Sequence, residues 1–148
     1  MNKAHPPVEY KGRILGIVFL VGAQLSVGLV HVIFGFWLLI AIWASSSAGF
    51  LGLSSSPVIY SLYTIVFGFL TLLFAVLLWL QKGWGWIGTF AVLIFVLVAD
   101  SLTLLDLPSV PGIPKIAGFG EITYSVIVIL YLLQTHVRAK YRIDLKKK

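Results

Sequence analysis

Hydrophobic residues run through this chain in long continuous segments separated by short polar ones. A membrane hydrocarbon core about 30 Å thick is crossed by roughly 20 apolar helical residues. Four segments meet this measure, at residues 13–44, 57–80, 86–107 and 116–137. They are continuously apolar, whereas the strands of a membrane β-barrel alternate. The pattern predicts an all-α polytopic membrane protein, with four transmembrane helices in an up-down bundle.

The links between these segments are short. They read ASSSAGFLGLSSSP, QKGWGW and PSVPGIPK, and their Ser, Gly and Pro residues indicate irregular backbone. No link is long enough for a second domain, so residues 1–148 are predicted to form a single transmembrane domain. The first segment exceeds both the length of one span and the apolar part of a signal peptide, which is roughly 7–15 residues. We therefore expect it to be a permanent helix.

Composition narrows the class of protein further. Hydrophobic residues make up 59% of the chain and charged residues 11%, against about 25% charged in soluble domains. The absence of cysteine excludes disulfides, thiolate metal sites and cysteine nucleophiles. The chain also has no phosphate-binding glycine loop and no HExxH or GxSxG motif. No catalytic residue is assigned, and we expect a protein that is not itself catalytic. A non-catalytic subunit of a membrane enzyme is compatible with this expectation.

The cations are distributed unevenly along the chain. Lys115 lies in the link between the third and fourth segments. Of the other ten cations, Lys82 lies in the second link, and the rest lie at or before the start of the first segment or after the end of the last. Positive residues favour the cytoplasmic side, so both termini are predicted to be cytoplasmic in the cell membrane. In the basic tail, at 138–148, Arg138, Lys140 and Arg142 are predicted to meet lipid headgroups. No nucleic-acid partner is expected.

Small residues recur on one face of each of the first two helices. The two stripes are Gln24, Gly28, His31 and Gly35 in the first helix, and Thr64, Gly68, Thr71 and Ala75 in the second. Residues at these spacings share a helix face. Small residues allow helix backbones to approach closely, which drives helix association in lipid. We therefore expect these two helices to pack on one another, with Gln24 and His31 directed toward protein.

Three ionisable residues occupy one predicted depth in the membrane. The separations from the nearest cytoplasmic cation are 18 residues from Arg13 to His31, 18 from Lys82 to Asp100 and 17 from Glu121 to Arg138. At about 1.5 Å per residue, each lies roughly 26 to 27 Å from the cytoplasmic side. The sequence therefore predicts a layer of His31, Asp100 and Glu121 near the outer boundary of the hydrocarbon core.

This layer has more than one interpretation. One imidazole and two carboxylates are suitable ligands for a divalent metal such as zinc, manganese or iron, which is the one candidate cofactor. Alternatively, crowded carboxylates exchange protons in transporters. In a purely structural interpretation, groups this close to the interface reach water. Asp106 lies farther out than Asp100, and we expect it to form an ion pair with Lys115.

Three stretches resemble a known group of proteins. They are KGRILGIVFLVG, LLWLQKGWGWIG and IVILYLLQTHVRAKY. They resemble motifs of a widespread group of small archaeal and bacterial four-helix integral membrane proteins of unknown function. The resemblance implies the fold and an inner-membrane location. It implies no catalytic residue, and Asp100 and Glu121 are not part of the shared pattern.

Three classes of function remain open. The favoured one is an accessory subunit that packs into a larger membrane complex or on itself, because glycine faces and exposed aromatic residues offer lateral interfaces. The second is a small transporter or channel that uses the polar layer. Against it, Gln24 and Thr71 are almost the only polar groups predicted in the cytoplasmic half. The third is a metal-binding membrane protein, or a subunit that donates ligands to a membrane enzyme.

Overall fold

A computed structural model of the chain describes residues 9–10, 13–45 and 56–143. The described elements are a β-ribbon of β1 (Glu9–Tyr10) and β2 (Arg13–Ile14), and the helices α1 (Leu15–Ser45), α2 (Ser56–Trp79), α3 (Gly83–Leu104), α4 (Lys115–Leu132) and α5 (Thr135–Lys140). The all-α prediction is confirmed. Most of the first link, the cations Lys3 and Lys11, and the tail from residue 144 lie outside the described residues.

Four of these helices are long and apolar enough to cross a membrane. Even α4, with 18 residues, reaches a mean hydropathy of 1.5. Roughly 20 residues cross a hydrocarbon core. The described chain is therefore that of a multi-pass α-helical membrane protein.

Each of the four long helices runs antiparallel to its neighbours. In each helix pair, a later residue of one helix contacts an earlier residue of the other. For α1 and α2 the contacts are Gly28 with Gly68 and Gly35 with Ser61, for α2 and α3 they are Leu78 with Gly85 and Phe74 with Gly88, and for α3 and α4 they are Trp86 with Leu132 and Asp100 with Gly118. The result is an up-down bundle. The end that carries Lys82 and α5 is called the basic end below, and the end that carries the α3–α4 link is called the Lys115 end.

Glycine brings the backbones of α1 and α2 together. A Cβ atom built on Gly68 would lie 2.8 Å from the carbonyl oxygen of Gly28, and one on Gly35 would lie 3.1 Å from that of Ser61. Neither position has room for a side chain at this helix separation. Gln24 is buried on the same face of α1, and Ala75 is fully buried on α2. The structure thus places the two small-residue stripes against each other.

The basic end has an apolar core closed by two hydrogen bonds. Leu78, Leu132 and Val137 are completely buried there. The indole Nε1–H of Trp86 donates to the carbonyl oxygen of Leu132 over 3.0 Å. The hydroxyl of Tyr141 donates to the carbonyl oxygen of Leu78 over 2.9 Å. The residues after α4 therefore complete the core.

The fourth segment differs from its predicted length. The pattern predicts one helix through residue 137, but α4 ends at Leu132 and α5 begins at Thr135. In a continuous helix the carbonyl of Leu132 would accept from the amide four residues later. Here it accepts from Trp86, while the carbonyl of Leu133 accepts from Nε of Arg138 over 2.9 Å. The side chains that terminate α4 were not identified from its apolar pattern.

Candidate functional site

Three helices bring His31, Asp100 and Glu121 together. Nε2 of His31 lies 3.4 Å from Oε1 of Glu121. Asp100 lies close enough to both groups to interact with them electrostatically, and neither of its oxygens has a hydrogen-bond partner among the described residues. Asp100 is fully buried, whereas the side chains of His31 and Glu121 are 19% and 20% exposed. The predicted layer is therefore a cluster of contacting groups in the structure.

The position of Asp100 follows from the buried stripe of α3. Thr89, Leu93, Val96 and Asp100 are all buried and follow the spacing i, i+4, i+7, i+11. Opposite Asp100 stands Gly118 of α4, where an added Cβ would lie 3.5 Å from the Cβ of Asp100. An alanine at Gly118 would therefore make an ordinary van der Waals contact with Asp100.

His31 is held by a second hydrogen bond and by an aromatic contact. Its Nδ1 lies 2.8 Å from the carbonyl oxygen of Val27. Its ring meets that of Phe67 edge-on, with the ring centroids 4.8 Å apart. A carbonyl oxygen only accepts, so we assign a hydrogen to Nδ1. In a neutral ring, Nε2 is then an acceptor.

The contact of His31 with Glu121 is suited to a bound proton. An acceptor Nε2 and a carboxylate oxygen form a hydrogen bond only when a hydrogen lies on one of them. The 3.4 Å between these two atoms is longer than a typical N–H···O hydrogen bond. Neither oxygen of Asp100 has a hydrogen-bond partner among the described residues. A proton bound at this cluster would stabilise the contact between His31 and Glu121.

A cavity between α1 and α4 gives access to this cluster. Its volume is about 190 Å³, and its polar lining comes from His31, Glu121, Tyr124 and Ser125. Since a water molecule in the liquid occupies about 30 Å³, the space accommodates several. Gly120, which also lines the cavity, is exposed at the surface. The cavity therefore opens at the outer surface of the bundle beside Glu121.

Two buried polar residues of the bundle interior, Thr89 and Ser125, were not among the predicted site residues. Ser125 is fully buried and Thr89 is 2% exposed. The signal that identifies them is the spacing that was applied to α1 and α2. On α3 it leads from Asp100 back to Thr89, and on α4 it leads from Glu121 forward to Ser125.

The remaining predicted site residues lie at the two ends of the bundle. Nζ of Lys115 lies 2.7 Å from Oδ1 of Asp106, and both side chains are largely exposed. Arg138 directs Nε to the end of α4, and Lys140 and Arg142 follow it at the basic end. An exposed ion pair such as that of Lys115 and Asp106 contributes about 0–1 kcal/mol to the free energy of unfolding. These residues belong to the surface and to the helix ends.

Within the described residues, no group of three or more His, Cys, Asp or Glu side chains is arranged to hold a metal ion. The donor types of the His31 cluster suit a divalent ion. Nδ1 of His31 bonds to a carbonyl, as the non-ligating nitrogen of a metal-bound histidine commonly does. Nε2 faces Oε1 of Glu121.

No protein family, curated protein or solved structure matches the chain. The function is therefore proposed from the geometry of the cluster and of the cavities around it.

Proposed function

We propose that this chain is a membrane protein that binds and exchanges protons at His31, Asp100 and Glu121, as the proton-binding unit of a small transporter. The observation that supports the proposal is the contact of Nε2 of His31 with Oε1 of Glu121, while Nδ1 donates to Val27. A proton held by either group would turn this contact of two acceptors into a hydrogen bond. With both termini in the cytoplasm, as the cation distribution predicts, the cluster lies toward the extracytoplasmic side of the cell membrane.

Loss of the proton is opposed by the surroundings. Two neighbouring carboxylates repel each other, and the repulsion is stronger at the low effective dielectric constant of a protein interior than in water. Asp100 has no contact with solvent that would reduce this repulsion. Proton release therefore requires a compensating cation in the 190 Å³ cavity or a movement that separates α3 from α4. Either event couples proton release to a second process, which is what a transporter needs.

The test is infrared spectroscopy of the full-length protein in liposomes. We expect a protonated-carboxyl band that changes with pH, that shifts in D₂O and that is lost in Asp100→Asn or Glu121→Gln. The matched control is Asp106→Asn, because Asp106 is an exposed carboxylate outside the cluster. An unchanged band in both cluster variants, or its absence at neutral pH, would contradict the proposal. Stoichiometric zinc retained by the wild type and lost in both variants would support the metal interpretation instead.

An accessory-subunit function is the second candidate, and the exposure of α1 favours it. This helix is the longest of the four and the least buried. Trp37 and Trp43 on it are 61% and 71% exposed. Large exposed aromatic side chains suit contacts with another membrane protein, although lipid covers the same surface when no partner is present.

Native-mass measurement tests this second candidate. The protein is extracted from its own membrane in mild detergent, without overexpression, and the mass of the particle that contains it is determined. A particle that includes other integral subunits, and that is lost in Trp37→Ala but retained in the lipid-facing control Leu130→Ala, would support the accessory function. A single bundle in wild type and control would contradict it.

A further inference from the structure

A second, much smaller cavity lies in the middle of the bundle. Its volume is about 10 Å³, and each long helix contributes one polar side chain to its lining. These are Gln24 of α1, Thr71 of α2, Thr89 of α3 and Tyr124 of α4. Sequence reasoning placed Gln24 and Thr71 on facing stripes. The structure adds the other two helices to the same point.

The four side chains share an unusual property. Oε1 of Gln24, the two threonine Oγ1 atoms and the hydroxyl of Tyr124 are buried, and none has a hydrogen-bond partner among the described residues. Gln24 and Thr89 are each 2% exposed and Thr71 is 5% exposed. Buried polar groups are nearly always paired, with protein or with ordered water. Four unpaired groups around one cavity therefore point to a small polar ligand.

The size and chemistry of the cavity identify that ligand. A cavity needs about 10–15 Å³ to hold one water molecule, and the water needs two to four polar partners. A bare cation is disfavoured, because the lining contains no carboxylate and an uncompensated charge is costly to bury. We propose that Gln24, Thr71, Thr89 and Tyr124 form a binding site for one water molecule that links all four membrane helices.

This water site adjoins the proton-exchange cluster through Tyr124. Tyr124 lines both the small cavity and the 190 Å³ cavity that contains Glu121. Leu93 lines the small cavity from the other direction and belongs to the apolar core of the basic end. The bound water is therefore the inner limit of a polar interior that begins at the cluster. This connection rests on the proposed function, whereas the water site itself does not.

The water site is tested by whether removal of a lining hydroxyl lowers or raises the Tm. Thr89→Val and Thr71→Val remove one partner of the water, so we expect both to lower the Tm of the full-length protein in detergent. If the hydroxyls had no partner, their removal would raise the Tm and overturn the proposal. Thr64→Val is the matched control, because its buried Oγ1 donates to the carbonyl of Tyr60 within its own helix. We expect a smaller change there.

Infrared difference spectroscopy tests the same site directly. We expect an internal-water O–H band that shifts in H₂¹⁸O and is lost in Thr89→Val but not in Thr64→Val. Absence of such a band in the wild type would overturn the water site. In Glu121→Gln, the band should remain but should no longer respond to pH. A water band that never responds to pH, beside a carboxyl band that does, would overturn the connection alone. A carboxyl band that fails to titrate would contradict the proposed function and leave the water site standing.

Discussion

The two ends of the bundle are built from different kinds of interior. At the basic end, Leu78, Leu132 and Val137 are fully buried, and the polar atoms of Trp86 and Tyr141 are paired with carbonyl groups. Toward the Lys115 end, the interior contains ionisable and hydroxyl groups, several of which lack a partner among the described residues. The difference is one of composition. The fully buried apolar side chains lie at the basic end, and the proposed proton site lies in the opposite half.

The largest effect should come from truncation of the apolar core. Leu132→Ala removes a completely buried side chain and should lower the free energy of unfolding by about 2–5 kcal/mol. On the same helix, Leu130 is 62% exposed, so Leu130→Ala should change it by no more than about 0.5 kcal/mol. Denaturation with SDS from mild detergent measures both. Equal effects would show that the basic end is not the stabilising core.

The stability of the polar half should depend on how closely its helix backbones approach each other, more than on the size of its apolar side chains. A Cβ at Gly68 approaches the backbone of Gly28 and Val32, so Gly68→Ala should cost about 1–3 kcal/mol by separating α1 from α2. Gly22 has nothing within 4 Å of such a Cβ. Gly22→Ala should therefore be neutral or slightly stabilising, in the same denaturation assay. If Gly68→Ala left the free energy of unfolding unchanged, the close approach of α1 and α2 would not be what stabilises the polar half.

A single hydrogen bond at the basic end should have a smaller effect. Tyr141→Phe keeps the buried ring but removes the hydroxyl that donates to the carbonyl of Leu78, which keeps the N–H of Gln81 as its other donor. We expect a loss of about 1 kcal/mol in the free energy of unfolding. Proton exchange at the His31 cluster, followed by the carboxyl infrared band, should not change. A variant that lost the infrared signal but kept its stability would contradict the placement of the proposed proton site in the opposite half.

The smallest effect should be at the surface of the Lys115 end. Asp106→Asn breaks the exposed pair with Lys115, which should cost about 0–0.5 kcal/mol at low salt. Screening by salt should abolish the difference between variant and wild type. Unfolding measured at low and high ionic strength provides the check. A larger, salt-independent loss would place this pair among the stabilising contacts.

For a residue of this fold, the sequence predicts the depth along the helix better than it predicts which groups the side chain contacts. Counting residues at a fixed rise places His31, Asp100 and Glu121 at one level, and the structure finds them in contact. Depth depends only on the helix rise, whereas contact also depends on the rotation of each helix about its axis. That rotation is set by side-chain packing across the bundle, such as the approach of Asp100 to Gly118.

Other features were outside the reach of the pattern for similar reasons. The end of α4 depends on a hydrogen bond between residues 46 positions apart, Trp86 and Leu132. The position of the hydrogen on the His31 ring depends on which ring nitrogen meets the carbonyl of Val27, one turn earlier in α1. The first feature is a tertiary contact and the second is a side-chain orientation, and local hydrophobicity encodes neither. By contrast, Thr89 and Ser125 follow a helical spacing that is readable from the sequence.

The hydrogen bond from Tyr141 to Leu78 has a consequence for biogenesis. Ribosomes deliver the four spans to the membrane in order, and Tyr141 is translated after all of them. The carbonyl of Leu78 and the surface that Val137 covers are thus without these partners while the last span is being inserted. Assembly of the basic end is therefore a late, post-insertion step, and a nascent chain halted before Tyr141 would display an incomplete end to membrane quality control.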